Sequence, residues 1–252
     1  MIERSTPERV SEALVRAFHH WDKRRQDLGP ELVRAGFQAR AFSIALSRQA
    51  GARGNTVARA VGEQLGWVVY DHELLERIAQ EMNVRVNLLD SVDERHVPWL
   101  EEQVEAFSSV PYVSQNAYFR HLVQTILALG LHGECVILGR GANFILPART
   151  TLRVRLVAGL EDRVSVMAQE LGISRHEAAR LVRETDRDRA AFLKEHFHQD
   201  VADPLHYDLV LNTSRLSVPQ CADLIVASLG HVQQRLRHSR PVAGPAVAAL
   251  PR

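Results

Sequence analysis

Glycines and arginines carry the chemistry that can be read from this chain. Gly51 and Gly54 bracket a polar turn, Gly51-Ala52-Arg53-Gly54-Asn55-Thr56, between an apolar run at 42–46 and a stretch with Val57, Val61 and Leu65 four residues apart. A turn between a strand and a helix N-terminus gathers unpaired N–H groups and the positive end of the helix dipole, and so binds anions. Arg140 follows the apolar run at 135–139, and a guanidinium there can grip two phosphate oxygens through its planar fork. Arg180, Arg183 and Arg187 share a face by three-and-four spacing, with Asp186, Asp188 and Arg189 beside them. Such groups suit phosphoryl transfer, where catalysis is mostly positioning and charge neutralisation. Each has a plainer alternative: a glycine turn that merely bends, an arginine ion-paired at the surface, a solvated helix laced with charge pairs.

The elements that must position these residues follow from periodicity. The short run at 42–46, bounded by turn residues, suits a buried strand. A helix closes at Gly66, and residues 67–70 form a second strand ending at Asp71, which can cap a helix striped by Leu74, Leu75, Ile78 and Met82. Strand, turn, helix, strand is a βαβ unit, whose right-handed crossover sets the turn at the carboxyl end of the first strand. Further strands are expected at 135–139, at 151–158 (where Leu152, Val154 and Leu156 alternate with Arg153 and Arg155) and at 207–212. A helix capped by Ser114 and carrying Tyr118, Leu122, Ile126 and Leu129 is expected to end at Gly130. Helices also span 161–171, closed by Gly172, and begin at the capping box Ser174/Glu177 and at Val218. Five apolar runs, each followed by a helical pattern, predict an α/β fold: a five-stranded parallel sheet with helices on both faces.

Ahead of this lies an N-terminal helical extension. Thr6 can cap it, Pro7 suits its first position, and Val10, Leu14, Ala17, Phe18 and Trp21 form its stripe. Residues 22–41, broken by Gly29-Pro30 and Gly36, read as a connector, so 1–41 is the extension, 42–238 the main domain and 239–252 a proline- and alanine-rich disordered tail. The extension either packs against the main domain or is exchanged between the subunits of a homodimer.

The 252 residues can bury a substantial core, and 46% hydrophobic and 24% charged residues are ordinary for a globular protein. With 31 basic and 30 acidic side chains, the net charge of +1 lacks the footprint of a nonspecific nucleic-acid binder. Cys135 and Cys221 sit in apolar contexts and read as buried thiols in a reducing compartment. No apolar run is long enough to span a bilayer, so the expected setting is cytoplasmic, without a membrane partner. His196, His198, Asp200 and Asp203 invite a metal reading, but histidines two apart do not face each other on a helix.

Three blocks in order, SRQAGARGNTVARAVGEQLGWVVYDHELL, VILGRGANFIL and DPLHYDLVLNT, resemble the cytidylate-kinase-like branch of the P-loop nucleoside monophosphate kinases, over about residues 43–229. The resemblance implies transfer of the γ-phosphoryl of ATP to CMP or dCMP with Mg2+. It implies donor binding by Gly51, Ala52, Arg53, Gly54, Asn55 and Thr56, acceptor binding by Arg48, Asp71 and Arg140, and magnesium contacts from Thr56 and Asp71. Residues 84–118 match the substrate-binding insertion, where Tyr112, Tyr118 and Phe119 stack on a base or are core, and 174–203 match the lid. Asp186 and Arg189 fit the branch's D-x-x-R pattern, and Arg187 joins them. Thr213, Ser214 and Arg215 border the adenine. The departure is in the loop: a full loop reads G-x-x-x-x-G-K-[ST], and here Gly54 stands at the lysine's register. Arg53 is then expected to supply the missing charge. The rival reading is a catalytically impaired nucleotide sensor or interaction module acting through the N-terminal helix.

Overall fold

The computed structural model describes residues 7–27, 42–92, 96–108 and 117–238. Five parallel strands, β1 (Ser43–Arg48), β2 (Val68–Tyr70), β3 (Cys135–Leu138), β4 (Thr151–Val157) and β5 (Leu209–Asn212), lie in the order β2-β3-β1-β4-β5. β1 is central, with Ser43 opposite both Cys135 and Thr151. Its neighbours β3 and β4 belong to opposite halves of the sheet, so its carboxyl end opens at the point where strand order reverses. Ligand crevices form at such points.

Alternation along the strands builds two cores. Ile44, Leu46, Val136, Leu138, Val154 and Leu156 pack toward α2 (Gly54–Leu65) on one face. Ala45, Ile137 and Tyr70 face a larger cluster that includes α3 (His72–Gln80) and α4 (Met82–Asp90), with Leu100 and Val104 of α5 (Val97–Ser108) and Phe119 and Ile126 of α6 (Ala117–His132). Across a short helix α7 (Ala142–Ile145) the chain reaches β4. It then runs through α8 (Leu160–Leu171) to the long α9 (Arg175–Phe197), and closes with α10 (Val218–His238) beside α2. The expected capping box at Ser174 and Glu177 opens α9, and Gly172 ends α8 in the left-handed region.

The N-terminal helix α1 (Pro7–Asp27) packs on the chain's own larger core through Leu14, Ala17 and Trp21. Trp21 Nε1 donates to Tyr70 Oη at 2.9 Å, and Arg24 donates to the His132 carbonyl at 2.7 Å and to Glu134 at 2.8 Å. Most of the connector (28–41), the tail, Thr6, Tyr112 and Ser114 lie outside the described residues.

Five expectations need correction. The connector does not begin at residue 22, because α1 continues to Asp27 with Arg24 buried, and β5 starts at Leu209 rather than at residue 207, because Tyr207 closes the 3-10 turn Pro204–His206. β1 runs two residues further than its apolar run, to Arg48, because Ser47 and Arg48 continue the ladder opposite Arg155 and Leu156. Gly130 does not end α6, which continues to His132; a Cβ at Gly130 would lie 2.4 Å from Leu146 Cδ2, so the glycine makes room for packing. Met82 does not join the α3 stripe, because the backbone turns extended at Glu81 and Met82 opens a new helix, exposed.

Candidate functional site

At the carboxyl end of β1 the chain turns through Gly51 at φ 74° and Arg53 at φ 55° into α2. Arg53 stands at the N-cap of α2 and makes no side-chain capping bond, so the first amides of this helix lack the partner that a Ser or Asp would supply. The turn is clamped from behind by α8 and α9. Asp186 accepts from the Ala50 N–H at 2.7 Å and from Arg163 at 2.5 Å, while Arg163 also donates to the carbonyls of Ala50 and Ala158. Gly51 lies so close to this clamp that a Cβ would sit 2.4 Å from the Arg163 carbonyl oxygen. Thr213, after β5, reaches the Ala52 carbonyl at 3.3 Å.

Beside the turn is a cavity of about 310 Å³. Its walls come from β1 (Ser47, Arg48), from Asn55 of α2, from the β2–α3 junction (Asp71, His72, Glu73), from the turn after β3 (Gly139, Arg140, Gly141, Asn143) and from α9 (Thr185, Asp188, Arg189, Phe192, Leu193). Three guanidinium groups therefore converge there from three separate elements. Burial pulls Arg48 down to about 9, and the charges of Arg189 and Arg140 act in the same direction against a smaller opposing influence from Asp71. Arg189 is lowered by burial too, and by Arg140 and Arg155, against Asp186. The guanidinium charges are held together at electrostatic expense. An anion would relieve that repulsion.

Arg140, at φ 51°, directs its side chain along α3. Its Nε donates to His72 Nδ1 at 3.1 Å, its Nη2 pairs with Glu76, and its guanidinium carbon lies 5.5 Å from the centre of the Phe192 ring. Burial and Arg140 lower His72 below its ordinary value, which keeps the imidazole neutral and able to accept. Tyr118 donates to the same Glu76 at 3.2 Å, and burial raises its phenol to about 12. Asp71 caps α3 through Leu74 N at 3.0 Å and also lines the cavity.

A family model described as the cytidylate kinase-like family matches residues 43–215. The chain belongs to the cytidylate kinase-like family. A curated relative, a cytidylate kinase from Methanopyrus kandleri, is 31% identical over 112 residues, 41% of this chain and 58% of the relative. The chain thus spans under two thirds of that relative's length. A crystal structure of an uncharacterized protein from Eubacterium ventriosum aligns at a TM-score of 0.62 and 20% identity over 76% of this chain and 99% of that one, which shows a shared fold.

Within this family member the structure brings together Arg48, Asn55, Asp71, Arg140 and Arg189 around one cavity. Arg53 and Thr56 are exposed at the turn and Arg187 is exposed on α9; none of the three lines the cavity. Asp186 sits in the clamp behind the turn. Gly51, Ala52 and Gly54 form the turn itself. Phe119 is core, stacked 4.2 Å from His196, and Tyr118 is tied to Glu76. His198 caps α9 in the left-handed region, and Asp200 and Asp203 each accept a backbone N–H two residues on. Among the described residues no group of three or more His, Cys, Asp or Glu could hold a metal ion by itself.

Sequence reasoning missed His72, Glu76, Thr185 and Phe192, whose roles depend on α3 and α9 meeting at the cavity. It also passed over Arg155, which is 7% exposed and donates to Ser47 Oγ at 2.8 Å beneath the cavity wall. An arginine in a strand expected to be covered on both faces was the available signal.

Proposed function

We propose that the protein catalyses ATP-dependent phosphoryl transfer to a nucleoside monophosphate, with CMP or dCMP as acceptor. The observation that carries this reading is the convergence of Arg48, Arg140 and Arg189, from three different elements, on one cavity next to a glycine turn and an uncapped helix N-terminus. The curated relative is named a cytidylate kinase, which supports cytosine as the acceptor's base.

An acceptor phosphate oxygen attacks the γ-phosphorus of ATP. The new O–P bond forms as the bond to the β,γ-bridging oxygen breaks, and the electron pair leaves on the β-phosphate of ADP. No protein nucleophile is needed, because the acceptor's own phosphate attacks. The turn's amides and the N-terminus of α2 hold the donor's phosphates. Arg140, steered by Glu76 and His72, grips the acceptor's phosphate, and Arg189 on α9 faces the transferring group. Phe192 and Leu193 give the cavity an apolar wall that excludes water.

The cavity wall offers the carboxylates of Asp71, Glu73 and Asp188 but not the Thr56 hydroxyl; so few oxygen donors suit Mg2+, an ion that keeps most of its shell in water and phosphate oxygens. When bound, Mg2+ neutralises phosphate charge that the arginines alone would share. The described residues include no helix long and apolar enough to cross a membrane.

The test is an assay of purified protein with ATP, Mg2+ and each nucleoside monophosphate in turn. Turnover with CMP or dCMP above the other acceptors is expected. ATP binding without turnover on any of them would select the sensor instead.

A further inference from the structure

The cation missing from the glycine turn has a replacement, and it does not come from the turn. Position 54 is the register at which a full phosphate-binding loop carries its lysine. Gly54 here begins α2 and is not among the glycines with positive φ, so no left-handed backbone calls for glycine. What calls for it is space. A Cβ at position 54 would lie 2.5 Å from Arg48 Cγ, 3.0 Å from its Cβ and 3.2 Å from its Cδ. The aliphatic stem of Arg48 thus runs through the volume that a side chain on residue 54 would fill.

Its far end is fixed by a second glycine. A Cβ at Gly139 would fall 3.4 Å from Arg48 Cζ and closer still to Nη1. Arg48 therefore threads between Gly54 and Gly139 and emerges in the cavity, beside Arg189 and Asp71. No ion pair among the described residues includes it. Arg53, the cation inside the turn, is exposed and does not line this cavity.

We propose that Arg48, reaching over Gly54 from the end of β1, is the catalytic cation at the donor's outer phosphates, in the place that a lysine at position 54 takes in a full loop. This rests on the phosphoryl-transfer reading and deepens it. A guanidinium there meets the negative charge that grows on the β,γ-bridging oxygen as the γ-phosphoryl moves to the acceptor oxygen. Gly54 and Gly139 are then parts of the same device: Gly54 lacks a side chain because Arg48 occupies its space, and Gly139, which its φ of 83° already calls for, leaves room for the guanidinium.

The experiment exchanges the two positions. Arg48→Ala, Gly54→Lys and the double variant Arg48→Ala/Gly54→Lys are compared with wild type in single-turnover ATP/CMP assays and in ATP titrations by calorimetry. Circular dichroism confirms that each is folded. Arg48→Ala is expected to lower kcat on the order of 100-fold with a smaller change in KM for ATP, as for loss of a group that acts mainly in the transition state. Gly54→Lys alone collides with Arg48 and is expected to be as impaired. The double variant, with the lysine in the vacated space, is expected to regain roughly 10-fold over Arg48→Ala.

Folded Arg48→Ala with kcat near wild type overturns the proposal, as does a folded double variant no better than Arg48→Ala. An impaired Arg53→Ala beside a wild-type-like Arg48→Ala would return the role to the turn. If wild type binds ATP without turnover, the kinase reading falls, and Arg48 is judged by ATP affinity alone: a loss in Arg48→Ala recovered in the double variant supports it, and unchanged affinity overturns it.

Discussion

Two regions of this molecule bury arginines and treat them in opposite ways. At the seam between α1 and the main domain, Arg24 is closed off by its own chain, with its Nε on the His132 carbonyl and its Nη1 on Glu134. The neighbouring imidazoles there are kept neutral: burial takes His20 down to about 4 and His132 to about 3. At the sheet's carboxyl edge, Arg48 and Arg189 are buried against each other's charge, and Arg140 lies within the same field. The first region answers its arginine with its own chain. The second holds cations that only a bound anion completes. Burying a charge without a close partner is expensive, so a chain that does so with Arg48 and Arg189, beside the Glu76-paired Arg140, reserves that cavity for a ligand.

The largest expected effect lies on the ligand side. Arg140→Ala removes a charge-assisted, two-pronged contact with the acceptor's phosphate, and acceptor kcat/KM should fall by about two to three decades, or roughly 2 to 4 kcal/mol. A tenfold or smaller loss in steady-state assays would mean that Arg140 serves Glu76 rather than a substrate, and the contrast between the regions would weaken.

The seam should reveal itself through pH. The unfolded chain binds protons on His20 and His132 as pH falls below about 6.5, while the folded chain resists until about 4 and about 3. Stability is therefore full above pH 6.5 and drains away as pH falls toward 4, by on the order of 1.4 kcal/mol per pH unit for each histidine. Urea midpoints between pH 7.5 and 4.5 would show the slope, and its loss in a His20→Gln/His132→Gln double variant would assign it. A flat profile in wild type would contradict the sealed-seam account.

How much of this was legible beforehand differs by region. Five strands and the capping box at Ser174 and Glu177 followed from apolar period and turn residues, because those signals are local. Asp71 showed itself as a cap for the same reason, whereas its place at the cavity came from the family resemblance. The partners of Arg140 did not, because Glu76 and His72 reach it only once α3 has folded alongside the turn after β3. Gly54 was misleading in an instructive manner: it reads as a lost lysine, whereas the fold shows space held open for Arg48, six residues earlier. Sequence records that a side chain is missing but not which neighbour fills the gap. Gly130 misled for the same reason, read as a helix stop when it admits Leu146.

Between the two regions stands the clamp behind the turn. Asp186→Asn removes the charge that answers buried Arg163, and should lower stability by about 2 kcal/mol, or roughly 5 °C in Tm for a chain of this size. ATP affinity should fall with it, because the Ala50 amide loses its anchor. An unchanged Tm by calorimetry would show that Arg163 is satisfied by the Ala50 and Ala158 carbonyls alone.

The smallest effect expected is Tyr70→Phe, which leaves the buried Trp21 Nε1 without its acceptor. A loss of about 1 kcal/mol in urea unfolding is expected, with kcat for CMP unchanged. A large fall in kcat would show that α1 and the cavity are coupled after all.

The central claim is that the arginine-lined cavity moves a phosphoryl group between two nucleotides. ATP labelled in its γ-phosphoryl, mixed with Mg2+, CMP and excess enzyme and quenched within one turnover, tests it directly. The account predicts the label in the β-phosphoryl of CDP, formed in step with ADP. Label that stays in ATP, or appears only as inorganic phosphate, in a protein that binds both nucleotides would contradict it.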